Sequence, residues 1–135
     1  MASLTELREG IATNLRTISG LRAIATIPDN PNPPLAIIYP QNMEYDDSFN
    51  RGLTTYTFRL VVVVGRVDER SAQNKLDAFV SSTGASSIKL AVESDKTLGG
   101  AAFDTRVSAM TNYGSIDISE VTYLSAEFTI LCYAD

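Results

Sequence analysis

Apolar residues near the start of the chain recur at steps of three and four, at Leu7, Ile11, Leu15 and Ile18. This spacing places them on one stripe of an amphipathic helix that begins near Leu4. Ser3 followed by Glu6 forms a capping box, in which each side chain satisfies a backbone N–H of the first helical turn. The chain is therefore predicted to open with a helix, which ends at Ser19-Gly20.

Two strands are predicted in the middle of the chain. The proline-rich segment 28–34 is a stiff connector, and Leu35 to Tyr39 follows it as a short strand that Pro40 stops. Residues 41–52 are assigned to a loop. Leu53 to Val64 then has strong β character, with one alternating set of side chains facing a core: Tyr56, Phe58, Leu60, Val62 and Val64.

The second half of the sequence predicts helices and then a hairpin. Asp68 is a plausible N-cap for a helix whose buried stripe is Ala72, Leu76, Phe79 and Val80. Residues 81–85 break this helix, and a short one follows from Ser87 to Ser94. Segments 102–113 and 120–134 read as paired strands joined across Gly114-Ser115. We expect one domain over residues 1–135, an α+β fold with a mainly antiparallel β-sheet and two to three helices packed on one face.

The opposite face of the sheet, called here the second face, carries more apolar residues than a solvated surface normally does. Burying each large aliphatic side chain contributes about 1.5–3 kcal/mol, so pairing this face with another copy of the chain is favourable. Alternatively, strand ends curl over the face or the proline-rich connector folds across it. The sequence predicts a homo-oligomer with these interface residues: Val61, Val63, Val121, Tyr123, Leu131 and Tyr133.

A second unusual segment is the acidic and aromatic loop that precedes the long central strand. Loops of this length without a periodic pattern are often functional. We interpret it as an arm that contacts a partner, with a solvated connector as the alternative. Its carboxylates do not have the ligand spacing of an EF-hand calcium loop. The residues assigned to this contact are Glu44, Tyr45, Asp46, Asp47, Phe49 and Arg51.

The amino-acid composition limits which reactions and ligands the chain could support. The chain has 135 residues, no histidine, one cysteine (Cys132) and a net charge of -5. Without histidine, the usual general base and the commonest transition-metal ligand are missing, and no intrachain disulfide can form. An acidic surface disfavours general binding to phosphate backbones. We therefore expect no cofactor, no metal and no enzymatic activity.

One enzymatic alternative needs no histidine. A glycosidase-like carboxylate pair could be drawn from Asp46, Asp47, Asp104 and Asp117. Nothing around these residues forms a cleft motif. No apolar run is long enough to span a membrane, and the N-terminus lacks the pattern of a secretory signal, so synthesis in the cytoplasm is expected.

Four segments, taken together and in order, carry a family resemblance: residues 28–34 (PDNPNPP), 45–52 (YDDSFNRG), 64–73 (VGRVDERSAQ) with Leu76-Asp77, and 112–115 (NYGS). As a set they resemble the small neck and tail-completion proteins of long-tailed phages, especially those that infect actinobacteria. Within that group the chain is most similar to tail terminators. The segments are not catalytic motifs, so they support membership without indicating a site.

The resemblance implies a ring-forming subunit, with copies of the chain joined in a hexameric ring. Such a ring caps the tail tube protein, stops its polymerisation and meets the head-to-tail stopper or connector on its other side. DNA passes through the lumen without specific binding. The protein would be made in the host cytoplasm and reside in the virion, at the tail or neck. A head-to-tail stopper is the nearest alternative.

Overall fold

A computed structural model describes residues 4–18, 21–24, 34–45, 54–66, 70–118 and 120–134. Five strands form one sheet in the order β1-β2-β3-β5-β4, and all neighbours are antiparallel except β1 and β2. The predicted α+β fold with a mainly antiparallel sheet is confirmed. The helices are α1 (Leu4–Leu15), α2 (Arg70–Val80) and α3 (Ile88–Val92). The strands are β1 (Arg22–Ile24), β2 (Leu35–Glu44), β3 (Thr54–Arg66), β4 (Asp104–Ile118) and β5 (Val121–Ala134).

The main core lies between the helices and one face of the sheet. The stripe predicted for α1 is buried, and the alternating set predicted for β3 lies in the same cluster. The stripes of α2 and α3 join it through Leu76 and Ile88, both fully buried. Gly10 permits a close approach, since a Cβ there would lie 2.7 Å from Cβ of Leu98. The helices therefore cover one face, as predicted; Ser3 and Asp68, the predicted caps, lie outside the described residues.

The buried side-chain amide of Asn14 connects α1 to α3 and to the turn that follows α3. Asn14 lies on the inner side of α1, and its Nδ2 donates to the carbonyl oxygens of Val92 and Asp95, both at 3.0 Å. The Val92 carbonyl belongs to the last residue of α3, and the Asp95 carbonyl belongs to the last residue of the 3-10 turn Glu93–Asp95 that follows it. Asn14 thus links α1 to two successive helical segments, and its own buried amide is hydrogen-bonded.

The prediction that Pro40 stops a strand is wrong, and so is the loop assigned from residue 41. β2 continues to Glu44, with a register shift between Pro40 and Asn42. Proline lacks a backbone donor and is accommodated at bulges and on sheet edges. Both conditions hold among the described residues, because the register shift marks a bulge and the described pairing of β1 with β2 ends at Ile37. β1 itself, the one parallel strand described, was not predicted.

The hairpin was predicted correctly, but its turn was misplaced. β4 runs through Gly114 to Ile118, which pairs with Val121, so the turn falls between those two residues and not at Gly114-Ser115. Glu120 has a φ of 67° in this turn. Gly114 instead lies at a register shift that follows Asn112, whose φ is 53°. A glycine marking a bulge resembles a turn glycine in sequence.

β4 is the last strand of the sheet, and its ladder with β5 is irregular at two points. Register shifts occur between Val107 and Ala109 and between Thr111 and Gly114. At the first, Oε2 of Glu93 accepts from the backbone N–H of Val107 at 2.9 Å, and Nζ of Lys89 lies 2.6 Å from the same carboxylate oxygen. Partial burial acts to raise the pKa of Glu93, but these two hydrogen bonds and the nearby lysine charges lower it overall. Side chains of the helical layer thus satisfy backbone groups that a further strand would need.

Candidate functional site

The six predicted interface residues lie on the second face, at alternate positions of β3 and β5. Val61 and Val63 pair with Glu127 and Ser125 of β5 near the middle of the face. Val121 and Tyr123 lie toward the β4–β5 turn. Leu131 and Tyr133 lie at the opposite end of β5, paired with Thr57 and Thr55. The predicted alternation is correct, while the interface itself stays a prediction.

Burial differs sharply among these residues. Val63 is 0 % exposed, Val61 3 % and Tyr123 8 %, and the three form a small apolar cluster of their own. Tyr39, Ile116 and Val121 pack against it from the described strands. The two valines are therefore already withdrawn from water in the single chain. Only the half-buried members, Val121, Leu131 and Tyr133, retain substantial apolar area for a second molecule.

A line of polar side chains, called here the polar strip, crosses the second face. It lies between the apolar cluster around Val63 and the half-buried pair Leu131 and Tyr133. Nε of Arg59 lies 3.3 Å from Oε1 of Glu127, and the guanidinium stands 4.9 Å from the centre of the Tyr39 ring. Oε2 of Glu127 accepts from Nδ2 of Asn112 at 2.6 Å. Burial raises the pKa of Tyr39, and the positive charge of Arg59 opposes that change. One carboxylate thus holds both the arginine and the bulge residue of β4.

The polar strip was not identified from the sequence, although a signal existed. Arg59 and Glu127 are lone charged residues inside two otherwise apolar or neutral strand interiors, and they carry opposite signs. Their spacing places each on the same face as the predicted interface residues. Pairing them required the register of β3 against β5, which the sequence pattern does not supply.

Two of the predicted contact-loop residues can be located. Glu44 is the last residue of β2, opposite Thr55, and is exposed. Tyr45 follows it and is 71 % exposed. Asp46, Asp47, Phe49 and Arg51 lie outside the described residues. The contact arm therefore remains a prediction, with Tyr45 as its one exposed aromatic ring in the described part.

The carboxylate pair proposed as an enzymatic alternative can be examined for two of its four members. Asp104 begins β4 and Asp117 lies near its end, thirteen positions later. At about 3.3 Å per strand residue this is roughly 40 Å, whereas paired glycosidase carboxylates lie under about 10 Å apart. Asp104 and Asp117 therefore cannot act together within one chain. Asp46 and Asp47 lie outside the described residues.

The cysteine is enclosed in the core. Burial raises the pKa of the Cys132 thiol to about 11, partly offset by a hydrogen bond from Oγ1 of Thr105, 3.6 Å from the sulfur. At neutral pH this raised pKa keeps the thiol protonated, so Cys132 acts as a small buried apolar group. Across the described ranges, no group of three or more histidine, cysteine or carboxylate side chains is placed to hold a metal ion.

Cavities lie on both sides of the sheet. The larger, about 530 Å³, lies on the helix side between α1 and residues 98–103, with Glu6, Glu9 and Phe103 in its lining. A smaller one, about 200 Å³, is lined by Tyr39, Pro40, Gln41 and Arg59 and opens beside the polar strip. The smaller cavity adjoins the predicted interface, so it belongs to the candidate site.

The fold and this face define a two-layer α+β protein with one helix-covered sheet face and one second face of mixed apolar and polar character. No protein-family model matches the chain, and no curated protein matches its sequence. In the segments that the structure describes, no helix is both long and apolar enough to cross a membrane.

Proposed function

We propose that the chain is a structural protein of a phage virion, a tail terminator that works by forming a closed ring. The ring caps the tail tube, ends its polymerisation and joins the tube to the head connector. No covalent bond is made or broken. Two lines of reasoning support the proposal: the family resemblance of four sequence segments and the character of the second face.

The second face carries the proposal. Its half-buried apolar side chains, Val121, Leu131 and Tyr133, lie beside polar residues on a face that no described helix covers. Apolar side chains that the chain itself leaves partly exposed on a sheet face are typical of a surface that another protein covers. A contact between two different surfaces of neighbouring copies closes into a ring when the rotation between copies divides a full turn. The resemblance implies six copies.

Termination requires only that the ring have two unlike sides. One side matches the last ring of the tube, and the other cannot accept a further tube subunit. A head-to-tail contact produces such polarity, because every copy in the ring points the same way. The acidic balance of the chain, 16 carboxylates against 11 basic residues, suits a channel through which DNA slides, because a basic lining would retain its phosphates.

Substitution of Val121 by aspartate tests the ring. A charge at this half-buried position should remove ring formation and leave the subunit folded, because a partner would have to desolvate the carboxylate. Mass measurement of purified protein, alone and mixed with tail tubes, gives the readout, with circular dichroism to check the fold. Thr83→Asp, an exposed change of equal charge on the helix side, serves as the control and should assemble normally. A wild-type chain that stays monomeric even with tail tubes would contradict the proposal.

The position of the ring in the virion separates a terminator from a head-to-tail stopper. Labelled subunits should be found on isolated tails and be absent from tailless heads. Labelling confined to tailless heads would assign the chain to the stopper class instead.

A further inference from the structure

We propose that the small cavity beside Arg59 is a carboxylate-binding pocket of the ring contact, and that Glu120 of a neighbouring copy fills it. The inference rests on the proposed ring, and it identifies which charged groups align one subunit on the next. It is drawn from the polar strip, the cavity and the acidic end of the β4–β5 hairpin.

Arg59 is held in place before any partner arrives. Its guanidinium stands 4.9 Å from the centre of the Tyr39 ring, and its Nε faces the Glu127 carboxylate at 3.3 Å. Glu127 is fixed in turn by the amide of Asn112. Among the described residues, no hydrogen bond engages the two terminal nitrogens of the guanidinium, and 48 % of the side chain is exposed. A planar, oriented donor pair of this kind fits a carboxylate.

The cavity has the size and lining to receive one acidic side chain. It measures about 200 Å³ and is bounded by Tyr39, Pro40, Gln41 and Arg59. The register shift of β2 between Pro40 and Asn42 leaves Gln41 without a partner position on β3, and Gln41 lines the cavity together with Arg59. Arginine and tyrosine are also the residue types that most often dominate the binding energy of interfaces.

Glu120 is the acidic residue best placed to fill this pocket in a second copy. It is exposed in the β4–β5 turn and directly precedes Val121, whose half-buried side chain belongs to the proposed interface. Asp117, the other carboxylate of the hairpin end, already accepts from Oγ1 of Thr122 at 2.6 Å. In a head-to-tail ring, the hairpin end of one copy and the Arg59 pocket of the next are different surfaces, as such a contact requires.

A charge exchange tests the pairing. Arg59→Glu and Glu120→Arg should each raise the subunit concentration needed for half-maximal ring formation at least tenfold, measured by mass photometry or sedimentation. The double variant Arg59→Glu/Glu120→Arg should return to within about threefold of the wild type. The control double variant Arg16→Glu/Glu120→Arg has the same net charge, but Arg16 is an exposed residue beyond α1 on the helix side, and it should not recover.

The outcomes distinguish this inference from the proposed function. If the wild type forms rings and neither single change affects them, the pocket assignment is wrong and the ring stands. Equal recovery in the Arg16 control would mean that overall charge, and not this pair, governs assembly, which also refutes the pairing. A wild-type chain that never associates refutes both proposals. Glu120→Arg lies in an exposed turn, so it remains informative if Arg59→Glu fails to fold.

Discussion

The two faces of the sheet are built from the same strands, yet their side chains are buried to different extents. On the helix side, alternate residues are buried without a break from Tyr56 to Val64 of β3 and from Ala126 to Ala134 of β5. On the second face, burial is complete only around Val61 and Val63 and declines toward Val121 at one end and Leu131 and Tyr133 at the other. Alternating apolar residues therefore indicate a buried face, but they do not say whether the same chain or another one covers each position.

The largest effect is expected from placing a charge at the centre of the second face. Val63→Asp should unfold the chain, because the buried carboxylate would have no partner and the cost, at least about 4 kcal/mol, approaches the whole stability of a small domain. Urea titration followed by circular dichroism measures this. A folded but monomeric Val63→Asp variant would show instead that this valine faces a neighbouring subunit.

A pair of leucines on opposite faces compares the faces directly. Leu60→Ala removes a fully buried side chain of the main core and should lower the free energy of unfolding by about 2–5 kcal/mol. Leu131→Ala, at a half-buried position of the second face, should cost about 1 kcal/mol or less in the isolated subunit, because water already reaches the site. Denaturant unfolding at low protein concentration gives both values. Equal losses would mean that the end of the second face is as well packed as the core.

The smallest expected effect concerns Glu93, whose carboxylate accepts from Lys89 in the helical layer and from the backbone N–H of Val107 in β4. The pKa of Glu93 is lowered in the folded chain, so its stabilising contribution is present above the ordinary carboxyl value near 4.5 and is lost as pH falls through the lower folded value. Glu93→Gln should therefore cost about 1 kcal/mol at pH 7, with the difference from wild type shrinking below about pH 4.5. Urea midpoints across this range provide the measurement. A difference that does not change with pH would contradict the role of the carboxylate charge.

Much of the fold followed from periodicity, since helices and strands with a continuous apolar stripe were located within a few residues. The errors share a physical cause. Pro40 and Gly114 were interpreted as ends of elements because proline and glycine usually end them, whereas both lie at bulges where the ladder is interrupted and then continues. β1 is three residues long, too short to show a period, and it is held by parallel pairing with β2.

The candidate site was harder to predict from the sequence than the fold. The alternation identified which residues share the second face, but burial depends on neighbours across strands, so Val63 and Leu131 could not be distinguished. The Arg59–Glu127 pair joins residues far apart in the chain, and only the register of β3 against β5 brings them together. A lone charge inside an apolar strand is the one clue that the sequence offered.

The irregular edge strand β4 affects whether strands of two copies can pair. Its ladder with β5 has two bulges, and Glu93 already accepts from the backbone N–H of Val107. Both features disfavour the addition of another strand along this edge. Open-ended fibres grow by this kind of strand-to-strand addition, so the same features make fibre growth along β4 unfavourable.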